Sequence, residues 1–199
     1  MIVAVILLAG IWLTMLIFGT GPLDQRIYEA LYAGHRPALA AAARVFTAFG
    51  EPTVLITAGL ACSLWLWWAG RPKLGLVLFA IMMLGRGLSE IQKYEVHRLR
   101  PDLETHLVVV QTSSFPSGHA TSSMIFYVGI ALALTARSNW HKIAVAGAML
   151  MTFLIGLSRV MLGVHWPSDV IGGWSFGFLW LLLTLRLTKR LLNGDSGPS

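Results

Sequence analysis

Ser158 to Asp169 reads SRVMLGVHWPSD and sets an arginine, a histidine and an aspartate into a few turns of otherwise apolar sequence. His165 and Asp169 are four residues apart, with Pro167 between them. Proline suits the first position of a helix, where its missing N–H costs nothing. A helix is therefore predicted to begin at Pro167, with His165 just before it and Asp169 in its first turn. An imidazole and a carboxylate then share the positive end of a helix dipole, where an anion is favoured. Arg159 closes the preceding apolar run and can reach the same spot. Taken alone, such a pair at a membrane–water boundary is more often a solvated helix end than a catalyst, so the rest of the chain has to decide.

Of the 199 residues, 56% are hydrophobic and only 12% charged, against about 25% charged in soluble domains. Mean hydropathy is +0.69. The chain reads as a membrane protein. Cys62, the only cysteine, lies in an apolar run, so no intrachain disulfide can form. The formal charge of +6 comes from scattered Lys and Arg rather than a basic stripe, and nucleic acid is not an expected partner.

Met1 to Phe18 is apolar and, as a helix at ~1.5 Å per residue, about 27 Å long, enough to cross most of a hydrocarbon core. No basic n-region precedes it and no small-x-small cleavage site follows, so it reads as a retained span. Leu23, Ile27, Ala30 and Leu31 recur at helical spacing, with Asp24, Arg26 and Glu29 on other faces, which predicts a short amphipathic helix at the interface. Ala38 to Gly50 is a second short helical stretch, stopped near Gly50 and Pro52. Further apolar runs follow, separated by polar turns. The predicted fold class is all-α: a polytopic membrane protein of six transmembrane helices in one bundle, with short interfacial helices between the first and second spans. The spans run over about 1–18, 53–69, 74–94, 119–136, 143–162 and 167–187. No linker or repeat divides residues 1–199, which read as one domain.

Alternation of six spans brings the end of the third, the start of the fourth, the end of the fifth and the start of the sixth to one membrane face. Lys93 and Arg100, the Pro116–His119 turn, and Arg159 through Asp169 all fall at those ends. Arg71, Lys73, Arg137, Lys142, Arg186, Lys189 and Arg190 lie on the opposite side, against Arg26, Arg36, Arg44, Lys93, Arg98, Arg100 and Arg159 on this one. The raw count leaves the positive-inside rule undecided. Setting aside Lys93, Arg100 and Arg159 as functional favours a cytoplasmic tail and a site on the non-cytoplasmic face of the cell membrane.

Lys93 and Arg100 are two helical turns apart, so both can project from one face until Pro101 ends the helix. Alone they would read as snorkelling interfacial cations. In Phe115-Pro116-Ser117-Gly118-His119, Ser117 can cap the fourth span and Gly118 lets a ligand approach the backbone closely. Alone this too is an ordinary helix start. Together the three stretches offer three cations, a glycine-containing helix start, two histidines and a carboxylate, a set suited to a multiply charged oxyanion. No metal is expected: there is no H-E-x-x-H, and the site-side carboxylates lack ligand spacing. No phosphate-binding G-x-x-x-x-G-K-[ST] loop occurs either, and no cofactor is implied.

K-x6-R-P at Lys93 to Pro101, P-S-G-H at Pro116 to His119, and S-R-x5-H-x3-D at Ser158 to Asp169 resemble the type-2 phosphatidic acid phosphatase superfamily, which includes lipid phosphate phosphatases and vanadium haloperoxidases. All three signatures occur in order over roughly residues 80 to 170. The resemblance implies an enzyme that removes phosphate from a lipid phosphate or diphosphate. His165 would be the nucleophile, forming a phosphohistidine. Asp169 would orient its imidazole, and His119 would act as the general acid. Lys93, Arg100, Arg159, Ser117 and the Gly118 amide would bind the phosphoryl oxygens. A lipid phosphotransferase with the same phosphohistidine is one alternative, and a non-catalytic transporter, which would not need His165, His119 and Asp169 together, is another.

The remaining polar residues read as structural. Arg86 and Glu90 are expected to pair or face the bundle interior, and Gly173-x-x-x-Gly177 to pack against another helix. Trp65, Trp67, Trp68, Trp166 and Trp174 are expected in an aromatic belt. His35, His97, His106 and His141 read as solvated loop residues, with Glu104 and His106 also within range of a head group. Neither the particular lipid nor the oligomeric state is legible.

Overall fold

Apolar runs broken by Gly and Pro become helices wherever the backbone must satisfy its own hydrogen bonds, and in a bilayer no other element crosses without an open edge. The computed structural model describes residues 2–136 and 138–194 and is helical throughout, with no strand among the described residues. Arg137, placed above in the turn opposite the site, lies outside them, as does the tail after Gly194. The helices are α1 (Ile2–Phe18), α2 (Pro22–Leu31), α3 (Pro37–Ala48), α4 (Pro52–Trp68), α5 (Pro72–Val96), α6 (Gly118–Ser123), α7 (Gly129–Thr135), α8 (His141–Met161) and α9 (Pro167–Gly194). Proline occupies the start of α2, α3, α4, α5 and α9, as its missing donor favours. A π-helical turn, Met124–Val128, joins α6 to α7 within one rod.

Four of these rods are long and apolar enough to cross a membrane, and six if each of two bent pairs forms one span. α1 and α2 meet at 94°, whereas α3 and α4 meet at only 40°. α3 packs along α8. The main apolar core is built from Leu55, Leu66, Leu78, Met82, Ile125, Phe126 and Leu181. Gly173 and Gly177 do form a packing face: a methyl group there would meet α6 backbone and side chains at 2.9 Å.

Two local expectations are corrected. α5 stops at Val96 because His97 turns left-handed at φ 49°, so Arg100 reaches inward from an extended segment and not from the helical face carrying Lys93. α2 turns Leu23 and Ile27 outward, as an interfacial helix would, and buries Asp24 and Tyr28 against the bundle. Trp174 is not at a rim, since its indole donates to the Thr152 carbonyl at 3.2 Å inside the bundle. Trp65, Trp67 and Trp68 are exposed near the end of α4, as expected.

Candidate active site

Asp169 lies in the first turn of α9, where its Oδ2 accepts the Trp166 N–H at 2.9 Å. This is the reach-back bond by which an acidic residue closes a helix start. The same oxygen accepts the Ser114 hydroxyl and faces His165 Nδ1 at 3.4 Å. Oδ1 is held by Arg98 Nη1 at 3.0 Å. Both carboxylate oxygens are thus fixed, and Asp169 is 0% exposed.

With Nδ1 turned toward the carboxylate, His165 presents Nε2 to Arg100 Nη1 at 3.3 Å. A histidine that donates through Nδ1 carries its free lone pair on Nε2. Burial first, and then the surrounding cations Arg100, Lys93 and Arg159, hold the His165 imidazole well below the ordinary histidine range. It is therefore a neutral imidazole at neutral pH, the form that can attack phosphorus. Gly163, at φ +79°, makes the turn between α8 and His165; a methyl group there would meet the Thr105 carbonyl at 2.7 Å.

Nε2 opens on a cavity of about 310 Å³ whose wall includes Lys93, Arg100, Gly118, His119, Arg159 and His165. These six come from the ends of α5, α6 and α8 and the connections beside them, the face at which alternation was expected to gather them. Lys93 Nζ donates to the Ser113 carbonyl at 3.0 Å, and Arg100 Nε to that of Thr112 at 2.7 Å. Arg159 Nη1 donates to Thr47 Oγ1 at 2.6 Å, while its Nε has no partner. The segment Val108–Thr112 forms an outer wall, with Val109 89% exposed.

The other two expected site residues do not reach the cavity. Asp169 sits behind His165. Ser117 precedes α6 but makes no capping bond; its hydroxyl is fully buried and without a partner, and its N–H donates to the Asp169 carbonyl at 3.0 Å. Glu104 and His106 are not in the cavity wall either. Arg86 and Glu90 are, and they pair at 3.6 Å.

Four neighbours were not legible in the sequence. Glu51, at the α3–α4 corner, lies 3.4 Å from His119 Nε2. Gly50 beside it permits that approach, because a methyl group there would meet the His119 ring at 2.7 Å. Thr47 tethers Arg159, and Arg98 with Ser114 grips Asp169. All four act across long stretches of chain, and no local spacing signals them.

A polytopic helical membrane protein is defined here by its spans, with a histidine-bearing cationic cavity at one end of the bundle. The chain belongs to the PAP2 superfamily, which it matches over residues 74–192. It is 34% identical over 121 residues to phosphatidylglycerophosphatase B of Bacillus subtilis (strain 168), covering 59% of each protein. It is also 34% identical over 110 residues to the undecaprenyl-diphosphatase of Sulfolobus acidocaldarius, covering 53% of this chain and 50% of that one. The match therefore spans between 50% and 59% of these two relatives' own length. The crystal structure of the transmembrane PAP2 type phosphatidylglycerolphosphate phosphatase from Bacillus subtilis superposes with a TM-score of 0.85 at 27% identity, over 94% of this chain and 96% of that one.

Proposed function

We propose that this protein is a single-domain, metal-independent phosphatase acting on a lipid phosphomonoester or diphosphate through a phosphohistidine. The observation that carries the reading is the convergence of neutral His165 Nε2, His119 and three cations on one cavity, with Asp169 locked behind the nucleophile. Relatives named for phosphatidylglycerophosphate, undecaprenyl diphosphate and lipid A substrates support the class and leave the particular lipid open.

Nε2 of His165 attacks phosphorus, the bond from phosphorus to the lipid oxygen breaks, and His119 gives that oxygen its proton. Lys93, Arg100 and Arg159 hold the three equatorial oxygens, whose charge grows in the transition state. Asp169 stabilises the proton on Nδ1 as positive charge develops on the imidazole. Water then attacks the phosphohistidine, losing a proton to His119, and phosphate leaves. The face bearing the site is the non-cytoplasmic one.

The test is hydrolysis of a lipid monophosphate and of p-nitrophenyl phosphate by His165→Ala and His119→Ala. Loss of the nucleophile abolishes both reactions and the acid-labile phosphoenzyme. Loss of the acid slows the poor lipid alkoxide leaving group by about 10²–10⁴-fold and spares nitrophenolate. A His165→Ala protein that keeps either activity overturns the proposal.

A further inference from the structure

We infer that Arg98 is a positioning residue for the catalytic pair, and that the corner between α1 and α2 is the anchor it works from. The inference rests on the roles proposed for His165 and Asp169. Arg98 lies within the six unspecified residues between Lys93 and Arg100, and its side chain turns away from the cavity. Nη1 donates to Asp169 Oδ1 at 3.0 Å and to Ser168 Oγ at 3.2 Å. Nη2 donates to the Met15 and Leu16 carbonyls at 2.8 and 2.7 Å. Those carbonyls belong to the last turn of α1, which has no helical donor for them and carries the negative end of that helix's dipole.

One planar guanidinium therefore spans the end of the first helix and the carboxylate behind the nucleophile. Its plane is fixed as well, lying 4.4 Å from the centre of the Phe115 ring. The backbone joins in: the Arg98 carbonyl accepts the N–H of Ser114, the residue whose hydroxyl binds the other oxygen of Asp169. Asp24, from the first turn of α2, grips the adjacent residue, accepting from Ser168 N at 2.8 Å and Ser168 Oγ at 2.6 Å. Its Oδ2 also accepts the Thr20 N–H at 2.8 Å, which closes the corner on itself.

The consequence for chemistry follows from the rotation of one carboxyl group. Ser114 and the Trp166 N–H hold Oδ2 toward His165 Nδ1, and Arg98 fixes the second oxygen, Oδ1, on the far side. Without Arg98 that oxygen is a buried charge with no partner, and such a group rotates or takes a proton. Either outcome weakens the acceptor that keeps the lone pair on Nε2. Arg98 is absent from the cavity wall, so its loss should spare phosphate binding. Lysine does not substitute fully, because one ammonium cannot make the fork that reaches both Asp169 and the α1 carbonyls.

The experiment measures kcat and KM for p-nitrophenyl phosphate in detergent with Arg98→Ala and Arg98→Lys, each also combined with Asp169→Asn. Vanadate binding stoichiometry counts the folded sites. Arg98→Ala is expected to lower kcat by about 10–150-fold, the loss of one charge-assisted bond, with KM within threefold and one vanadate per chain. Arg98→Lys should fall between it and the wild type. Millimolar guanidinium should partly restore Arg98→Ala. On the Asp169→Asn background the same change should matter less than threefold, because coupled residues are not additive. Trp12→Phe, which cuts a different tether from α1 to Gln92 of α5, should leave kcat within twofold.

A kcat loss equally large on the Asp169→Asn background, or one matched by a fall in vanadate stoichiometry, would make Arg98 merely structural and overturn the inference. So would an effect confined to KM. Should His165→Ala remain active in the same assay, the catalytic reading fails instead, and the two failures are told apart.

Discussion

Replacing Arg159 by methionine is expected to stabilise the protein while disabling it. The arginine is 4% exposed, its Nε has no partner, and among the described residues no carboxylate is ion-paired to it. Its neighbours across the cavity, Lys93 and Arg100, carry the same charge. Withdrawing one such ion from water costs several kcal/mol even after relaxation, and a charge-assisted bond to the Thr47 hydroxyl offsets about 1.5–3 kcal/mol of that. Methionine fills most of the volume and leaves a hydroxyl behind, for a net gain of about 1–2 kcal/mol. At roughly 2–4 °C per kcal/mol for chains of this size, the thermal midpoint should rise by about 2–8 °C. Tryptophan fluorescence of detergent-solubilised protein would follow it. An oxyanion reverses the order. Vanadate at 100 times its Kd adds about 2.7 kcal/mol to the wild type, and the variant should bind it about 10–150-fold more weakly. A variant that melts lower without vanadate, or binds vanadate as well as the wild type, would refute the claim that these cations are held against their own repulsion to receive a phosphoryl group.

Three further outcomes are expected. Because burial and Arg100 hold His165 well below the ordinary ~6.5, the acid limb of kcat/KM should lie below that value, and Arg100→Gln should move it upward; a limb that does not respond would remove Arg100 from the environment of His165, the proposed nucleophile. The same depression sets a stability sign: as pH falls below ~6.5 the unfolded chain takes up a proton that folded His165 refuses, so stability should fall through that window. Activity should survive stripping and excess chelator, since the cavity cations fill the electrostatic role of a metal; loss restored by magnesium would defeat this. Glu104→Cys in a Cys62→Ala background should react with an impermeant maleimide in intact cells, and labelling only after lysis would place the site on the cytoplasmic face.

The cavity residues were legible because they sit at short, fixed spacings within signatures: Lys93 with Arg100, Gly118 with His119, Arg159 with His165. Alternation of spans then put those signatures at one face. What surrounds them was not legible. Glu51 reaches His119 and Arg98 reaches Asp169 only after the bundle has assembled, across separations of 68 and 71 residues. In α2 the apolar spacing was legible, with Leu23 and Ile27 on the outward side, but the burial of Asp24 was not. Asp24 faces inward because a polar partner, Ser168, waits there. Arg100 misled through one backbone angle, since a helix expected to run to Pro101 ends at left-handed His97.

The outer wall of the cavity sets how the reaction would respond to concentration. Val109 at 89% exposure stands on that wall, and Leu99, the sequence neighbour of the wall residue Arg100, is 84% exposed. On the proposed reading, an apolar rim lying among acyl chains and head groups would receive a lipid substrate by lateral diffusion rather than from bulk water. The governing variable is then the mole fraction of substrate in the bilayer. Adding inert lipid at constant total substrate would slow turnover as effectively as removing substrate, whereas diluting the whole suspension would leave the rate per enzyme unchanged.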